Sequence, residues 1–283
     1  MSVDLARIRG WVFDVDGCLV RTERAGGRGG MPFPGAVEIL TQLQDSGHEV
    51  IVCTNASELP PAVYAEHLRE MGLPVRDEAF VTAGSAAADH VVAHHPGARV
   101  LVVGADGVSV PMRERGLELA EPGGPLADVV VVGAAPRYET ADLNAAALAV
   151  ADGAAFYTTV NSPWFHGGSG RSLAVSAAIA ASITYATGRE PVVGGKPSAV
   201  LAESLLRRLG VAASETAVVG DALAEIQLAR SMGGAGILLL SGATSLEDLE
   251  SLTPSTRPDI VVDDVAVLHS RLAPQETRQG ASQ

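Results

Sequence analysis

The stretch WVFDVDGCLVRT, residues 11–22, sets two carboxylates directly behind a run of apolar residues. Residues 11–13 have the composition of a buried strand, and a carboxylate beside such a strand is costly unless it is paired or hydrogen-bonded. Asp14 and Asp16 stand two residues apart, and Gly17 follows them. An Asp-Gly pair alone is typical of a turn. The stretch is therefore either a turn or part of a reaction centre, and the rest of the chain must decide between them.

The composition of the chain favours a globular α/β protein. Its 283 residues are 47% hydrophobic but only 4% aromatic, so Ala, Val, Leu and Gly must fill the interior. Such an interior is common where strands are covered on both faces, and the length suits one large domain or two moderate ones. The formal charge of −13, from 33 acids and 20 bases, repels phosphate backbones, so we expect no nucleic-acid partner.

The cysteines and the hydropathy of the chain predict a cytoplasmic protein. Cys18 and Cys53 are too few for a disulfide framework, and we expect two reduced, buried thiols. No run of about 18 apolar residues occurs, so we expect no membrane span and no membrane partner. The first ten residues do not resemble a signal peptide.

Apolar runs alternate with helical patterns along the chain. The helical patterns include residues 58–72, 197–210 and 224–234, each of which ends at a glycine. This alternation predicts a doubly wound parallel α/β sheet, and the number of strands places some of them in a second domain. The runs predicted as strands are residues 10–15, 48–54, 98–104, 127–133, 154–160, 190–195, 216–221, 235–240 and 258–264.

Polar residues follow four of the predicted strands. In open α/β sheets, ligands bind outside the carboxyl ends of the strands, so we expect these residues to share one site. Thr54 and Asn55 could alternatively cap a following helix, a role that Ser57 could share. The candidates are Asp14 and Asp16 after the first strand, Thr54 and Asn55 after the second, Lys196 after the sixth, and Asp221 with Glu225 after the seventh.

This combination of side chains suits phosphoryl transfer. One carboxylate can attack phosphorus and form an acyl-phosphate, while a second protonates the leaving alkoxide and later activates water. Because successive strand residues point to opposite faces, a spacing of two keeps Asp14 and Asp16 on one side if the chain stays extended. Clustered carboxylates repel one another unless a cation joins them, and oxygen ligands of this kind suit Mg²⁺. A lysine and a hydroxyl can hold the phosphoryl group.

These residues resemble the four motifs of the haloacid dehalogenase (HAD) superfamily of phosphatases. The motifs are DVDG (14–17), Thr54, Lys196, and Gly220-Asp221 with Glu225. The resemblance implies that Asp14 is the nucleophile and that Asp16 is the general acid and base. It also implies that Thr54, Asn55 and Lys196 bind the phosphoryl group.

The same resemblance implies a magnesium site. Mg²⁺ would be held by Asp14, by Asp16 through its main-chain carbonyl, and by Asp221. The fourth motif departs from the family pattern, which has a second Asp after four intervening residues. Here the loop is one residue shorter and the second acid is Glu225, whose longer side chain could reach the metal or its water shell.

The chain is more specifically similar to the NagD-like and p-nitrophenylphosphatase-like group, subclass IIA of the superfamily. Members carry a large α/β cap, of the C2 type, between the second and third motifs. The resemblance covers about residues 8–272 and implies a discontinuous catalytic core, residues 1–81 and 189–283, with a cap at residues 82–188. It rests on PFPGAVEIL (32–40), CTNAS (53–57), VTAGSAAA (81–88), GGKPSAVL (194–201) and LLLSGATS (238–245).

Two further segments depart from the family pattern. Residues 21–31 lengthen the loop after the first motif, and their glycine cluster AGGRGG (25–30) is interpreted as a flexible loop. The cap stretch TTVNSPWFHGGSGRS (158–172) also diverges. In relatives this stretch faces the active site and helps select the leaving group. We therefore expect substrate selection here from Asn161, Trp164, His166 and Arg171.

The sequence thus predicts a Mg²⁺-dependent phosphomonoester hydrolase that acts on a small phosphorylated metabolite through an aspartyl-phosphate. The resemblance also implies a homodimer formed through the cap. Two alternatives stay open at this point. One is a non-catalytic phosphometabolite-binding protein on the same fold, and the other is a phosphotransferase or mutase.

Overall fold

The computed structural model describes residues 3–167, 170–254 and 256–272, and at residues 166, 167, 170 and 171 the main chain only. Within these residues the strands are β1 (Gly10–Asp14), β2 (Val20–Arg21), β3 (Met31–Pro32), β4 (Glu49–Thr54), β5 (Phe80–Thr82), β6 (Arg99–Val103), β7 (Glu118–Leu119), β8 (Val129–Val132), β9 (Ala155–Thr158), β10 (Trp164–Gly167), β11 (Gly170–Leu173), β12 (Val192–Val193), β13 (Thr216–Gly220), β14 (Ala235–Leu239) and β15 (Ile260–Val262).

Helices fill most of the connections between these strands. The α-helices are α1 (Ala36–Asp45), α2 (Pro61–Glu70), α3 (Ala83–His94), α4 (Asp106–Glu114), α5 (Thr140–Ala151), α6 (Val175–Thr187), α7 (Ala199–Leu209), α8 (Leu223–Met232), α9 (Leu246–Glu250) and α10 (Val265–Leu272).

Two parallel sheets organise the chain. The first sheet has the strand order β15-β14-β13-β1-β4-β5, and the second sheet has the order β12-β9-β8-β6-β7. Every strand pair within these two sheets is parallel. The predicted doubly wound α/β class is therefore confirmed. All nine predicted strands form, and the additional ones are short: β5, β7 and the hairpins β2–β3 and β10–β11.

Each sheet is buried on both faces, as its unbroken apolar strands predict. In β1, Trp11 and Phe13 pack on one side of the first sheet, where their rings lie 6.1 Å apart, and Val12 packs on the other side. In the second sheet, Val129 and Val130 of β8 likewise belong to opposite clusters. Each such fully buried side chain contributes roughly 1.5–3 kcal/mol to folding. The first sheet therefore holds its central strand in a fixed position beneath the site.

Local sequence signals set the ends of the helices. Ser198 caps α7 by accepting from Leu201 N at 3.2 Å, and the helix ends at Gly210 in the left-handed conformation. α8 ends in the same way at Gly233, as predicted. α2 begins at Pro61 with Pro60 at its N-cap. Ser57 is therefore not the cap of that helix, contrary to the alternative considered for it.

The chain crosses from the second sheet to the first at β12. This strand pairs with β9, although the predicted cap ends at residue 188. The chain then passes through Gly194 and Gly195 to Lys196 beside the first sheet. A Cβ on Gly195 would lie 2.4 Å from Asn55 Oδ1 and 2.5 Å from Thr159 O, so a larger residue cannot fit without displacing its neighbours. The domain boundaries themselves stay a prediction.

Candidate active site

The candidate residues at the ends of β1, β4 and β13 lie together in one buried cluster. Asp14 is the last residue of β1 and Thr54 is the last residue of β4, and these strands are neighbours. Asp221 directly follows β13, the other neighbour of β1. All three residues are buried, so their polar atoms depend on protein partners more than on water.

Lys196 supplies a positive charge to this cluster. Its Nζ pairs with Asp14 Oδ1 and lies 2.8 Å from Glu225 Oε1. All three side chains are 5% or 6% exposed. Burial alone would lower the pKa of the ammonium group, but Asp14 and Glu225 hold that pKa well above its usual value. Lys196 therefore carries its charge next to the expected nucleophile.

The acids of the cluster outnumber this single base. Burial raises the pKa of Asp14 well above its usual value, against the opposing effect of Lys196, and the charge of Glu225 adds to the rise. Burial and the charge of Glu225 also raise the pKa of Asp221 to about 7, although Ala243 N donates to Asp221 Oδ2 at 2.6 Å. The excess of buried negative charge makes the site favourable for a further cation.

The oxygen ligands of the cluster fit a hard divalent cation. Across the described residues, no three His, Cys, Asp or Glu side chains form a ready-made metal cage. Mg²⁺ commonly uses only one or two carboxylates and keeps several waters, and Asp14 and Asp221 meet that requirement. Glu225 is engaged elsewhere, since Oε1 faces Lys196 and Oε2 accepts from Ala222 N at 3.0 Å at the start of α8. Its expected place at the metal stays a prediction.

Asp16 lies beside Thr54 and accepts hydrogen bonds from the inserted loop. Gly26 N donates to Asp16 Oδ2 and Gly27 N donates to Asp16 Oδ1, each at 2.9 Å, and Thr54 Oγ1 lies 3.5 Å from Oδ2. Burial raises the pKa of Asp16, while these two N–H groups and Thr22 oppose the rise. The two catalytic candidates therefore differ in their partners: Asp14 has an ammonium group, and Asp16 has main-chain N–H groups.

Thr54 and Asn55 have different contacts, although both were predicted to bind phosphate. Thr54 Oγ1 accepts from Ala56 N at 3.1 Å and lies 3.5 Å from Asp16 Oδ2. Asn55 Oδ1 accepts from Lys196 N at 2.7 Å, and Asn55 Nδ2 donates to Lys196 O at 3.3 Å. The side chain of Asn55 thus holds the main chain of Lys196 in place.

The predicted substrate-selecting residues lie on a separate hairpin. β10 and β11 pair antiparallel, with His166 opposite Arg171 in the register. The side chains of His166 and Arg171 lie outside what the structure describes. Asn161 precedes the hairpin and is exposed, and Trp164 at its start is 42% exposed. The role of all four residues in substrate selection stays a prediction.

Sequence reasoning missed a contact that joins the two sheets. Ser57 follows β4, is buried, and its Oγ lies 3.0 Å from Thr159 Oγ1 beyond β9. The same oxygen accepts from Ala134 N, beyond β8, at 3.0 Å. No pattern in the sequence indicates such a long-range bond. For Lys196 a clearer signal exists in the sequence. The chain has 20 Lys and Arg residues, and Lys196 is the only lysine among them.

The two cysteines are free and buried, as predicted. Burial raises the pKa of the Cys18 thiol well above its usual value and that of Cys53 to about 12. A nucleophilic cysteine must form the thiolate. Neither thiol is therefore suited to act as the nucleophile of this site at neutral pH.

Comparisons with known proteins agree with this arrangement. A family model described as haloacid dehalogenase-like hydrolase matches residues 11–118, and a second, HAD-hydrolase-like model matches residues 193–268. Ribonucleotide monophosphatase NagD of Escherichia coli K12 is 30% identical over 260 residues, which are 92% of this chain and 97% of NagD. The chain belongs to the haloacid dehalogenase-like hydrolases, in the phosphatase group that includes NagD and the p-nitrophenylphosphatases.

Solved structures extend the similarity to the whole fold. 4-Nitrophenylphosphatase of Thermotoga maritima superposes with a TM-score of 0.83 at 26% identity, over 94% of this chain and 98% of its own. Glycerol phosphate phosphatase of Mycobacterium tuberculosis, determined in complex with calcium, gives a TM-score of 0.83 at 28% identity, over 95% of this chain and 76% of its own. Both comparisons support a core and cap arrangement of the same type.

Among the residues that the structure describes, no helix is both long and apolar enough to cross a membrane.

Proposed function

We propose that the chain hydrolyses small phosphate monoesters through a phosphorylated Asp14, with Mg²⁺ bound beside it. The observation that carries the proposal is the buried contact of Asp14 with Lys196, at a strand end where Asp16 and Thr54 also meet. A pure binding site would need the cation for phosphate, but it would not need two carboxylates two residues apart. The arrangement therefore favours a reaction over binding alone.

The residues of the chain support a two-step transfer. In the first step an oxygen of Asp14 forms a bond to phosphorus while the bond from phosphorus to the ester oxygen breaks, and protonated Asp16 gives its proton to that oxygen. In the second step Asp16, now ionised, takes a proton from water. The water oxygen forms a bond to phosphorus, and the bond from Asp14 to phosphorus breaks. Phosphate leaves, and both side chains return to their starting states.

Lys196 and Thr54 are the proposed phosphoryl-binding residues. The Lys196 side chain is 5% exposed, so its ammonium group acts in a site with little water. Its attraction for phosphoryl oxygens is strong in such a site. Asn55 contributes by holding Lys196 through two hydrogen bonds to its main chain. We therefore assign Asn55 to positioning Lys196 and Thr54 to contact with the phosphoryl group. Glu225 would complete the set by holding Nζ from its other side.

Mg²⁺ is the cation that best suits the remaining carboxylates. Asp14 and Asp221 would hold it together with the main-chain carbonyl of Asp16. When bound, it would offset the negative charge of these acids and of the phosphoryl group. The calcium complex of the glycerol phosphate phosphatase supports a divalent cation site in a protein of this fold.

The substrate class follows from the relatives and from the proposed cap. Relatives are named for ribonucleotide monophosphates, acid sugar phosphates and glycerol phosphate, all small phosphorylated compounds. We propose a substrate of this class, with residues 82–188 acting as a cap that closes over the site and excludes water. Asn161, Trp164, His166 and Arg171 would select the leaving group. A homodimer through the cap stays a prediction.

Hydrolysis of p-nitrophenyl phosphate and of a metabolite panel, with and without Mg²⁺, tests the proposal. We expect Mg²⁺-dependent release of phosphate that Asp14→Asn abolishes. No turnover of any ester, with ligand binding unchanged in Asp14→Asn, would instead support a binding protein. Transfer of phosphate to added acceptor alcohols in preference to water would support a phosphotransferase.

A further inference from the structure

Asp16 is held by the loop that lengthens the chain after the first motif. The two oxygens of its carboxylate each accept one hydrogen bond, from Gly26 N and from Gly27 N. Successive main-chain N–H groups that converge in this way form a concave site for an anion. Here the anion is a side chain of the protein itself, and it is the expected general acid and base.

The conformation of this loop requires glycine at both positions. Gly26 has φ +77° and Gly27 has φ +79°, a region that other L-residues rarely adopt. Both glycines are buried against α2. A Cβ on Gly26 would lie 2.4 Å from Tyr64 Cε1, and a Cβ on Gly27 would lie 3.0 Å from Leu68 Cδ2. The interpretation of residues 25–30 as a flexible loop does not agree with these contacts.

The loop also has its own supports. Arg24 N donates to Arg28 O at 3.1 Å, and Gly30 N donates to Gly27 O at 3.2 Å. Arg28 Nη2 pairs with Glu58 Oε2 at 3.2 Å, between β4 and α2. The two glycine N–H groups are therefore fixed from inside the loop and from α2.

The first sheet alone does not fix Asp16. β1 ends at Asp14, the chain bends at Val15, and Gly17 has φ +85°. Asp14 is the last residue of β1, a strand paired on both sides, and is itself in register with Cys53 of β4, whereas Asp16 lies beyond the regular strand. A spacing of two along an extended chain is thus not what places the second acid, and another element must do so.

We propose that the loop between β2 and β3, residues 22–30, positions Asp16 for proton transfer, with Gly26 and Gly27 as its positioning residues. The proposal rests on the function proposed above for Asp16. Gly26 and Gly27 touch neither substrate nor phosphorus in this account; they act through the carboxylate that they hold beside Thr54.

The test compares two leaving groups by kcat/KM. An alkoxide needs a proton in order to leave, whereas p-nitrophenolate leaves without one. Because kcat/KM covers steps only up to the first irreversible one, slow hydrolysis of the phosphorylated enzyme does not mask the comparison. The alkyl phosphate that the wild-type chain turns over fastest is measured against p-nitrophenyl phosphate, in the wild type and in each variant.

Asp16→Asn sets the full effect, and we expect the alkyl ester to lose about 10²-fold more than the nitrophenyl ester. Gly27→Ala should show the same selectivity at a lower level, about tenfold, because it displaces the donor without removing the acid. Gly47→Ala is the matched control. Gly47 also has positive φ (+76°), but it lies after α1, outside the loop, and its added Cβ would meet no atom within 4 Å, so the ratio between the esters should not change.

An unchanged ratio in Gly27→Ala, while Asp16→Asn shifts it, would overturn the inference and leave the proposed function intact. An unchanged ratio in Asp16→Asn would overturn the role of Asp16 itself. If Gly27→Ala does not fold, Thr22→Val replaces it. Thr22 is buried, and its hydroxyl donates to Arg24 O within the same loop. A shifted ratio in that variant supports the inference, and an unchanged ratio overturns it.

Discussion

The two parallel sheets of this molecule are similar in construction, but their carboxyl ends are built from different side chains. In the first sheet, Asp14, Thr54 and Asp221 stand at the ends of adjacent strands and are buried there. In the second sheet, Gly104 follows β6 and Gly133 follows β8, and a Cβ on Gly104 would lie 3.2 Å from the main chain of Gly133. The carboxyl end of the first sheet carries buried charged side chains, whereas glycines at the carboxyl end of the second sheet allow two main-chain segments to approach closely.

This difference shows that strand order alone does not place the chemistry. The second sheet has a cavity of about 430 Å³ between residues 120–127 and α5, yet Glu121 is the one titratable residue in its lining. The buried charges lie instead where the two sheets meet. There Lys196, which follows β12 of the second sheet, pairs with Asp14 of the first sheet, and Ser57 contacts Thr159. Function follows from the side chains at the site rather than from the fold.

The largest expected effect separates the two sheet ends directly. Asp14→Asn should lower kcat/KM for phosphate esters by about 10³-fold or more, because the attacking oxygen is lost. Asp106→Asn is the control, since Asp106 begins α4 at the carboxyl end of the second sheet and is exposed. It should leave kcat/KM within about twofold of the wild type. Similar losses of kcat/KM in both variants would show that the reaction does not depend specifically on the carboxyl end of the first sheet.

The next effect concerns the positive charge of Lys196, which follows β12 of the second sheet and pairs with Asp14 at the end of the first sheet. Lys196→Met should lower kcat/KM by about 10²- to 10³-fold, because phosphoryl oxygens lose their buried cation. Arg189→Met removes an exposed base seven residues earlier and should have no such effect. Steady-state kinetics on folded samples, verified by circular dichroism, gives the comparison. Full activity in Lys196→Met would show that this cation is structural only.

The third effect tests how firmly α3 is joined to α7. Asp89 pairs with Arg115 at 2.6 Å and with Arg208 at 3.0 Å, and Ser204 Oγ donates to it at 2.7 Å. Burial raises the pKa of Asp89, but these partners outweigh burial and hold the pKa below its usual value. Asp89→Asn should lower the free energy of unfolding at pH 7 by about 2–3 kcal/mol.

The sign of the pH dependence follows from that lowered pKa. The stabilisation by Asp89 is complete above the unfolded-state pKa of about 3.9 and is lost as the pH falls through the lower folded-state value. Chemical denaturation at several pH values should therefore show the two proteins converging below about pH 4. Asp77→Asn, in an exposed pair with Arg69, should cost under about 1 kcal/mol at pH 7. A gap between wild type and Asp89→Asn that widens in acid would contradict the assignment.

The smallest effect concerns the bond between the sheet ends. Ser57→Ala should lower the free energy of unfolding by about 1–2 kcal/mol, because Ala134 N and the Thr159 hydroxyl lose a buried partner. Ser231→Ala, which removes an exposed hydroxyl on α8, is the matched control and should be close to neutral. Equal stability of both variants would show that Ser57 does not join the sheets.

The sequence predicted the fold class and the nine main strands because parallel strands covered on both faces read as unbroken apolar runs. It also predicted Asp14, Thr54 and Asp221 as neighbours, since the carboxyl ends of adjacent parallel strands meet at one edge. The family resemblance supplied their roles.

What the sequence could not predict depends on contacts between distant residues. The hydrogen bonds from Gly26 N and Gly27 N to Asp16 require a specific loop conformation. A glycine cluster in the sequence alone is equally compatible with a mobile loop. The two oxygens of Glu225 are engaged by Lys196 and Ala222, which the spacing of the fourth motif does not reveal. The place of β12 in the second sheet rests on its pairing with β9, not on its composition.

The most direct measurement follows the phosphorylated enzyme with p-nitrophenyl phosphate. Asp16→Asn should slow the second step without blocking the first, because p-nitrophenolate leaves without a proton. We expect a burst of about one p-nitrophenolate per enzyme chain and, with radiolabelled substrate and acid quenching, labelled phosphate on the peptide that contains Asp14. A burst with the label on another residue, or continued hydrolysis by Asp14→Asn, would show that Asp14 is not the nucleophile.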